Sequence, residues 1–231
     1  MAEGKTSPWV WVGCGCGVAI LLLALAVGLG GFFAAKEIKE LADDMADPAA
    51  RADKVRSILG MDEMPPDLYP MLGMSIPFVL DVALLSDMPP EDDGEPQGFG
   101  DAGLVYIHLK LGSNLGELRE FFDGSRDDVR VLRDNGIQID VDEILGRGTL
   151  EREDATVRWI TQRGDVNAMG NASGDALSAM MLIECKGDSK PRIAIWFETE
   201  IEAEAGELAG TPADPQELER FANYLRPCPA A

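Results

Sequence analysis

Residues 177–199 read LSAMMLIECKGDSKPRIAIWFET and predict a β-hairpin. The apolar runs at 177–186 and 192–199 each have the length of a strand, and the Gly-Asp-Ser sequence at 187–189 is typical of a turn. A strand with an apolar face has to bury that face against another layer of the protein. The stretch therefore predicts two antiparallel strands of a sheet that helices or a second sheet must cover.

Further strands are predicted upstream by the same criteria. Residues 149–152 and 156–162 read as two more strands of an antiparallel meander, and the Gly- and Asn-rich stretch 164–175 reads as a longer loop. Still earlier, apolar and polar residues alternate over 76–84 and 105–111, with a long Pro-, Gly- and acid-rich hairpin loop between them. The strands predicted in this way number about six.

Helices are predicted between and after these strands. Residues 113–123 carry an apolar face, and 127–135 reads as a short helix with Val129 and Leu132 facing inward. A capping aspartate followed by a proline begins a last helix over 215–225. The fold class is therefore α+β, with a mostly antiparallel sheet packed with two or three helices that cover one face or lie one on each.

A helical stalk is predicted before this domain. Apolar residues recur at three- and four-residue spacing over 36–59, and Asp47 followed by Pro48 indicates that the segment is two helices, with a Pro-rich connector at 61–70 after them. The apolar stripe is expected to pack on its own domain, and a second copy or another membrane protein is the alternative. The predicted organisation is 1–35 for the tail and transmembrane helix, 36–70 for the stalk and connector, and 71–231 for the acidic α+β domain.

An N-terminal membrane anchor is predicted from hydropathy. Residues 6–35 carry no charged side chain, and their centre, 18–33, contains only Val, Ala, Ile, Leu, Gly and Phe. A helix needs roughly 20 apolar residues to cross a membrane, so this stretch is expected to be an uncleaved signal anchor, with cleavage after it as the alternative. Four residues are expected at the membrane–water interface, namely Trp9, Trp11, Cys14 and Cys16.

The side of the membrane on which the domain lies follows from competing signals. Basic residues are more numerous after the span than before it, which favours a cytoplasmic domain by the positive-inside rule. The position of the span at the N-terminus, and two cysteines able to form a disulfide, Cys185 and Cys228, favour an oxidising compartment. We predict a single-pass protein of the bacterial inner membrane with an extracytoplasmic domain; the cytoplasmic orientation is the alternative.

The formal net charge of −21 bears on the class of partner. Nucleic acids and anionic lipid surfaces attract patches of Lys and Arg, and this chain has no basic run free of interspersed acids. No nucleic-acid partner is therefore predicted. A basic partner or cations could bind, although acidic side chains that keep the surface soluble explain most of the charge.

Few residues of the sequence match a known catalytic or metal-binding pattern. The single histidine, His108, excludes every site that needs two imidazole ligands, and its place in an alternating strand predicts a surface residue. Residues 165–170 begin like a calcium-binding loop but lack its later oxygen ligands. Trp159 and Trp196 are expected to pack in the sheet. No catalytic residue, cofactor site or metal site is predicted.

These features predict a non-enzymatic interaction or accessory domain at the cell envelope. Two alternatives stay open. One is a small-ligand or lipid-binding domain with a cavity between sheet and helices, and the other is a hydrolase that uses paired carboxylates, which 41 acidic residues can supply without a visible motif. Two close, buried carboxylates in a cleft would indicate the enzyme, whereas a flat surface or an exposed apolar groove would indicate the interaction domain.

Overall fold

Seven β-strands form a single sheet in the computed structural model, and every neighbouring pair is antiparallel. In chain order the strands are β1 (Tyr69–Ile76), β2 (Leu80–Ser86), β3 (Ala102–Leu109), β4 (Ile139–Glu151), β5 (Ala155–Ala168), β6 (Asn171–Cys185) and β7 (Arg192–Glu198). Their order across the sheet is β1-β2-β3-β7-β6-β5-β4. The predicted antiparallel sheet is confirmed, with seven strands in place of about six.

The structure describes residues 47–91, 98–110, 115–134, 139–168, 171–199 and 208–228. The predicted membrane span at 6–35 lies outside these ranges, as do the interface residues Trp9, Trp11, Cys14 and Cys16 and the first part of the stalk. None of the helices within the described ranges is long and apolar enough to cross a membrane.

Four helices of the described residues accompany the sheet, namely α1 (Pro48–Leu59), α2 (Leu115–Asp123), α3 (Arg130–Asp134) and α4 (Pro215–Ala222). The starts of α1 and α4 are those that the sequence predicts. The carboxylate of Asp47 accepts a hydrogen bond from the N–H of Ala49 at 2.9 Å, and that of Asp214 accepts one from the N–H of Gln216 at 2.9 Å. Each helix then begins with a proline, whose missing N–H would have no partner inside the helix anyway.

The helices cover both faces of the sheet. On the face that we call the α1/α4 face, those two helices pack on side chains such as Leu104, Met181 and Trp196. On the opposite α2/α3 face, the other two helices pack on side chains such as Met180 and Ile195. Successive residues of a strand point to opposite faces, and both faces are buried here, which is why the central strands read as continuous apolar runs.

The helix α1 is part of the same compact unit as the sheet. Val55 and Leu59 of α1 are fully buried in the core of the α1/α4 face, and Nε of Arg51 donates a hydrogen bond to the carbonyl of Pro70 at 3.0 Å. The apolar stripe of this helix thus packs on its own domain.

Residues 76–84 do not form the single strand that their alternation predicts. The chain reverses at the Pro-Phe-Val sequence of 77–79, where the N–H of Val79 donates to the carbonyl of Ile76 at 3.1 Å. Phe78 occupies the tip of this turn with a φ of 63° and is 84% exposed. The apolar pattern runs on across the turn, so periodicity alone could not reveal it.

The Gly- and Asn-rich stretch 164–175 is not the long loop that its composition predicts. Strand β5 continues to Ala168 and β6 begins at Asn171, and the two strands pair through this stretch with one register shift between Gly164 and Val166. Gly and Asn have low β-propensity, but the backbone ladder already formed farther along both strands extends through them.

The short helix α3 turns a different side toward the core than the sequence predicts. Val131 and Leu132 are buried, whereas Val129 is 41% exposed. Val129 precedes the first helical residue, Arg130, so the helical spacing assumed for it does not apply.

Candidate functional site

A cavity of about 250 Å³ lies at the end of the α1/α4 face where β7 ends. We call it the acidic pocket. Its walls combine aromatic rings with carboxylates, contributed chiefly by Asp87, Trp196, Glu198, Glu217, Phe221 and Tyr224. Residues of the Pro-rich connector complete the rim.

Aromatic rings form one wall of the acidic pocket. The rings of Trp196 and Phe221 stack with their centroids 4.4 Å apart and their planes 13° from parallel. Trp196 projects from β7 toward the helices, and Phe221 lies on the buried side of α4, so the packing of α4 on the sheet also sets this pair. Tyr224 adds a third ring just after the helix. Such ring faces attract cations because they carry partial negative charge.

Three carboxylates reach the acidic pocket from separate parts of the chain. Glu198 is the register partner of Ala102 in the pairing of β3 with β7. The backbone N–H of Asp87, which follows β2, donates to the carbonyl of the same Ala102 at 3.1 Å. Glu217 lines the cavity from α4. The register of the sheet and the packing of α4 therefore bring these acids together.

The pocket raises the pKa of the Glu198 carboxyl above its ordinary value. Burial is the main cause because it disfavours the charged form, and the negative charges of Asp87 and Glu217 add to it. The carboxylates of Asp87 and Glu217 already have partners. Both oxygens of Asp87 accept backbone hydrogen bonds, at 3.2 and 3.0 Å, from the end of the loop before β3, and Glu217 pairs with Arg220, a cation that also lines the cavity. Among the described residues, Glu198 has no cationic partner within ion-pair distance.

Replacing Glu198 by Gln is expected to stabilise the fold at neutral pH. A carboxyl whose pKa is higher in the folded chain contributes its full stability below the unfolded pKa, about 4.3, and loses it as the pH rises through the folded pKa. Glu198→Gln has no charge to bury. Urea unfolding should therefore give similar midpoints at about pH 3 and a higher midpoint for the variant at about pH 8. A variant that is less stable than wild type at the higher pH would contradict this account.

The Pro-rich connector supplies a rigid part of the rim. Pro65 and Pro66 restrict the backbone there, and Asp67 follows with a φ of 64°. This left-handed conformation is uncommon for residues other than glycine, although aspartate tolerates it better than most. The connector thus holds a further carboxylate at the mouth of the pocket.

The two cysteines that the sequence predicts to form a disulfide lie outside the acidic pocket. Cys185 ends β6 and Cys228 lies in the tail after α4, and the structure joins them by a disulfide with their Cα atoms 5.4 Å apart. The bond fastens the C-terminal tail to the sheet. Its formation in the cell stays a prediction.

His108 is not the surface residue that its strand pattern predicts. It is only 9% exposed, and its Nδ1 lies 3.0 Å from Oδ2 of Asp81. The expectation fails because helices cover both faces of the sheet, so that the polar side of an alternating strand is not its solvent side.

The remaining candidate residues are also placed by the structure. Trp159 packs beside the core of the α1/α4 face as expected, while Trp196 belongs to that core and also lines the acidic pocket. The first four residues of the calcium-like stretch 165–170 lie at the end of β5, and its last two lie outside the described ranges. Within the part of the chain that the structure describes, no group of three or more His, Cys, Asp or Glu side chains is placed to hold a metal ion.

The acidic pocket was missed in the sequence because its residues are far apart in the chain. One local signal was present: Trp196 and Glu198 stand two positions apart in a strand and must face the same side. Nothing in the sequence singled out Asp87 and Glu217 from the other acids. No protein-family model matches the chain, and comparison with the curated proteins and with the solved structures gave no significant match.

Proposed function

We propose that this chain is a non-enzymatic interaction domain, anchored in the inner membrane of a bacterial envelope, whose acidic pocket receives a basic side chain of a partner protein. The observation that carries the proposal is the cavity in which carboxylates from three parts of the chain surround a stacked Trp–Phe pair. An ammonium or guanidinium group gains from both features, through charge on the carboxylates and through cation–π attraction to the rings.

The size of the cavity supports a single side chain as the occupant. Typical small-molecule sites measure about 300–1,000 Å³. The acidic pocket, at about 250 Å³, falls below that range and suits one extended side chain whose stem lies along the aromatic wall. The net charge of −21 also speeds and orients the approach of a basic partner.

The enzyme alternative fits the pocket less well. A hydrolase of this kind needs one carboxyl as a general acid and a second, free carboxylate as base or nucleophile. Glu198 has the raised pKa of a general acid. Asp87, however, accepts backbone hydrogen bonds with both oxygens, and Glu217 pairs with Arg220, so the only other carboxylate of the described lining is Asp67, on the connector at the rim.

The proposed location, in a membrane with the domain on the extracytoplasmic side, rests on two other features. The uncharged stretch 6–35 is long enough for a transmembrane helix. A disulfide between Cys185 and Cys228 suits an oxidising compartment, which favours the extracytoplasmic orientation.

Binding of a lysine side chain tests the proposal directly. Full-length protein in detergent would be titrated with Nα-acetyl-lysine amide and followed through the indole N–H signal of Trp196 in NMR spectra. We expect saturable binding that Glu198→Gln combined with Glu217→Gln weakens about tenfold or more, because two nearby negative charges are lost. Glu219→Gln is the matched control, since Glu219 is an exposed acid on the same helix and does not line the pocket.

The Nε-acetylated analogue of the same compound separates charge from shape. It keeps the stem and loses the positive charge, so we expect no saturable shift of the Trp196 signal. Equal binding of the two compounds, or an equal loss of affinity in Glu219→Gln, would overturn the proposal.

A further inference from the structure

We propose that a second cavity, at the opposite end of the α1/α4 face, binds a small, soluble phosphate monoester as a dianion. This cavity lies where β7 begins and has a volume of about 430 Å³. We call it the cationic pocket. Basic side chains from α1, the end of β3, the start of β7 and the C-terminal tail line it, namely Lys54, Lys110, Arg192 and Arg226.

The floor of the cationic pocket is a row of polar side chains across four strands. Ser75 of β1 is the register partner of Asp81 in β2, which pairs with His108 in β3, which in turn pairs with Arg192 in β7. Residues in register on neighbouring strands project to the same face. One sheet row thus brings a hydroxyl, a carboxylate, an imidazole and a guanidinium together.

Asp81 organises this floor. Its Oδ1 accepts hydrogen bonds from Nζ of Lys110 at 2.6 Å and from the hydroxyl of Ser75, and its Oδ2 accepts one from Nδ1 of His108 at 3.0 Å. Burial by itself would raise the pKa of Asp81, but these hydrogen bonds outweigh it and lower the pKa below its ordinary value. Asp81 therefore stays ionised and holds Lys110 and His108 in place.

Two buried polar atoms of the floor lack a hydrogen-bond partner among the described residues, Nε of Arg192 and Nε2 of His108. Arg192 is only 3% exposed, and its terminal nitrogens donate to Asp188 at 2.9 Å and to the carbonyl of Lys190 at 3.3 Å. The hydroxyl of Tyr106 lies near this guanidinium, but the Nε–H makes no hydrogen bond to a described residue, which is costly for a charged donor in a buried position. An anion's oxygens are the strongest acceptors for such a charged donor.

His108 complements an anion that also carries a hydroxyl group. Burial is the main cause that lowers its pKa, and the charge of Arg192 adds to this effect. The ring is therefore neutral near pH 7, and with Nδ1–H donating to Asp81 its Nε2 is an acceptor. A hydroxyl on the ester's organic group can donate to that nitrogen.

The charge balance selects a dianion. Among the groups that line the cationic pocket and their ion-pair partners, Asp81 and Asp188 offset two of the four positive charges, which leaves an excess of two; Asp62 and Glu63 share a neighbouring cavity with Arg226 and do not line this one. No carboxylate of the described residues lies within ion-pair distance of Lys54 or Arg226. A phosphate monoester carries about −1.5 to −2 at neutral pH, whereas a monocarboxylate or a sulfate ester carries a single negative charge. The net charge of −21 repels every anion, but a membrane surface carries many negative charges and a small ester carries two, so the membrane is repelled more and a soluble ligand is favoured.

Calorimetric titration of the full-length protein with methyl phosphate and methyl sulfate, at about pH 8, tests the proposal. The two probes have the same size and differ in charge. We expect methyl phosphate to bind saturably and about tenfold or more tightly than methyl sulfate. Lys54→Gln combined with Arg226→Gln should weaken methyl phosphate by about tenfold or more, because two unpaired cations are lost. Arg130→Gln removes an exposed cation from α3, on the other face, and should change nothing.

Each contrary result would overturn the proposal. Absence of saturable binding of methyl phosphate would show that the pocket is not a phosphate site. Equal affinity for the two esters would show that it does not select a dianion, and an equal loss in Arg130→Gln would show only a general effect of charge. Displacement of methyl phosphate by vesicles that contain phosphatidic acid would assign the site to a lipid headgroup in place of a soluble ester.

Discussion

Reducing the disulfide between Cys185 and Cys228 is expected to lower the free energy of unfolding by about 4 kcal/mol. The two cysteines are 43 residues apart, and cross-linking a loop of that length removes many conformations from the unfolded chain. Strand β7 and helix α4 both lie inside the loop, so the restriction acts on elements that form the core. Urea unfolding of the same protein with and without dithiothreitol measures the difference.

Cys228→Ser provides the control for this experiment. The variant lacks the bond, so its unfolding midpoint should equal that of reduced wild-type protein and should not respond to the reductant. Cys228 is only partly buried, which limits any cost of the substitution itself. If Cys185 and Cys228 both react with a thiol reagent before reduction, the bond is absent and the prediction fails.

Local signals account for the parts of the fold that the sequence predicted well. The hairpin at 177–199 combines two apolar runs with a Gly-containing turn, and the structure pairs β6 with β7 across it. The start of α4 needs only Asp214 and Pro215, whose effects depend on the few residues around them. Signals of this kind do not require knowledge of which strands are neighbours.

The errors have a different origin. The turn at Phe78 interrupts an apolar alternation and places an aromatic residue at positive φ, which no propensity scale favours. The β5–β6 hairpin extends through Gly and Asn because pairing with the partner strand decides the structure there. In both places tertiary contacts override local preference.

Neither pocket could be predicted from the sequence, and the reason is again that tertiary contacts decide the structure. Glu198 meets Asp87, and His108 meets Arg192, only when β7 inserts between β3 and β6, and the order of the elements along the chain does not predict this strand order. The burial of His108 likewise depends on α1 and the C-terminal tail, which lie over its end of the sheet. Composition correctly indicated an acidic protein, but it could not reveal that positive charge is concentrated at one end of the sheet.

Gly60→Ala is expected to lower the free energy of unfolding by about 2–5 kcal/mol. Gly60 ends α1 with a φ of 65°, and that conformation alone costs a residue with a side chain about 1–2 kcal/mol. An added Cβ would also lie 1.8 Å from the carbonyl oxygen of Arg226. The helix end and the tail would have to separate, which breaks the hydrogen bond from the N–H of Arg226 to the carbonyl of Leu59, now 2.9 Å long.

Gly187→Ala isolates the backbone part of this effect. Gly187 has a φ of 84°, but an added Cβ there would meet nothing within 4 Å, so only the cost of about 1–2 kcal/mol is expected. The excess loss in Gly60→Ala, measured by urea unfolding of both variants, then reports the close approach of the tail. Arg226 also lines the cationic pocket, so Gly60→Ala should weaken methyl phosphate binding as well. Similar losses of stability in the two variants would mean that the tail does not lie against the end of α1.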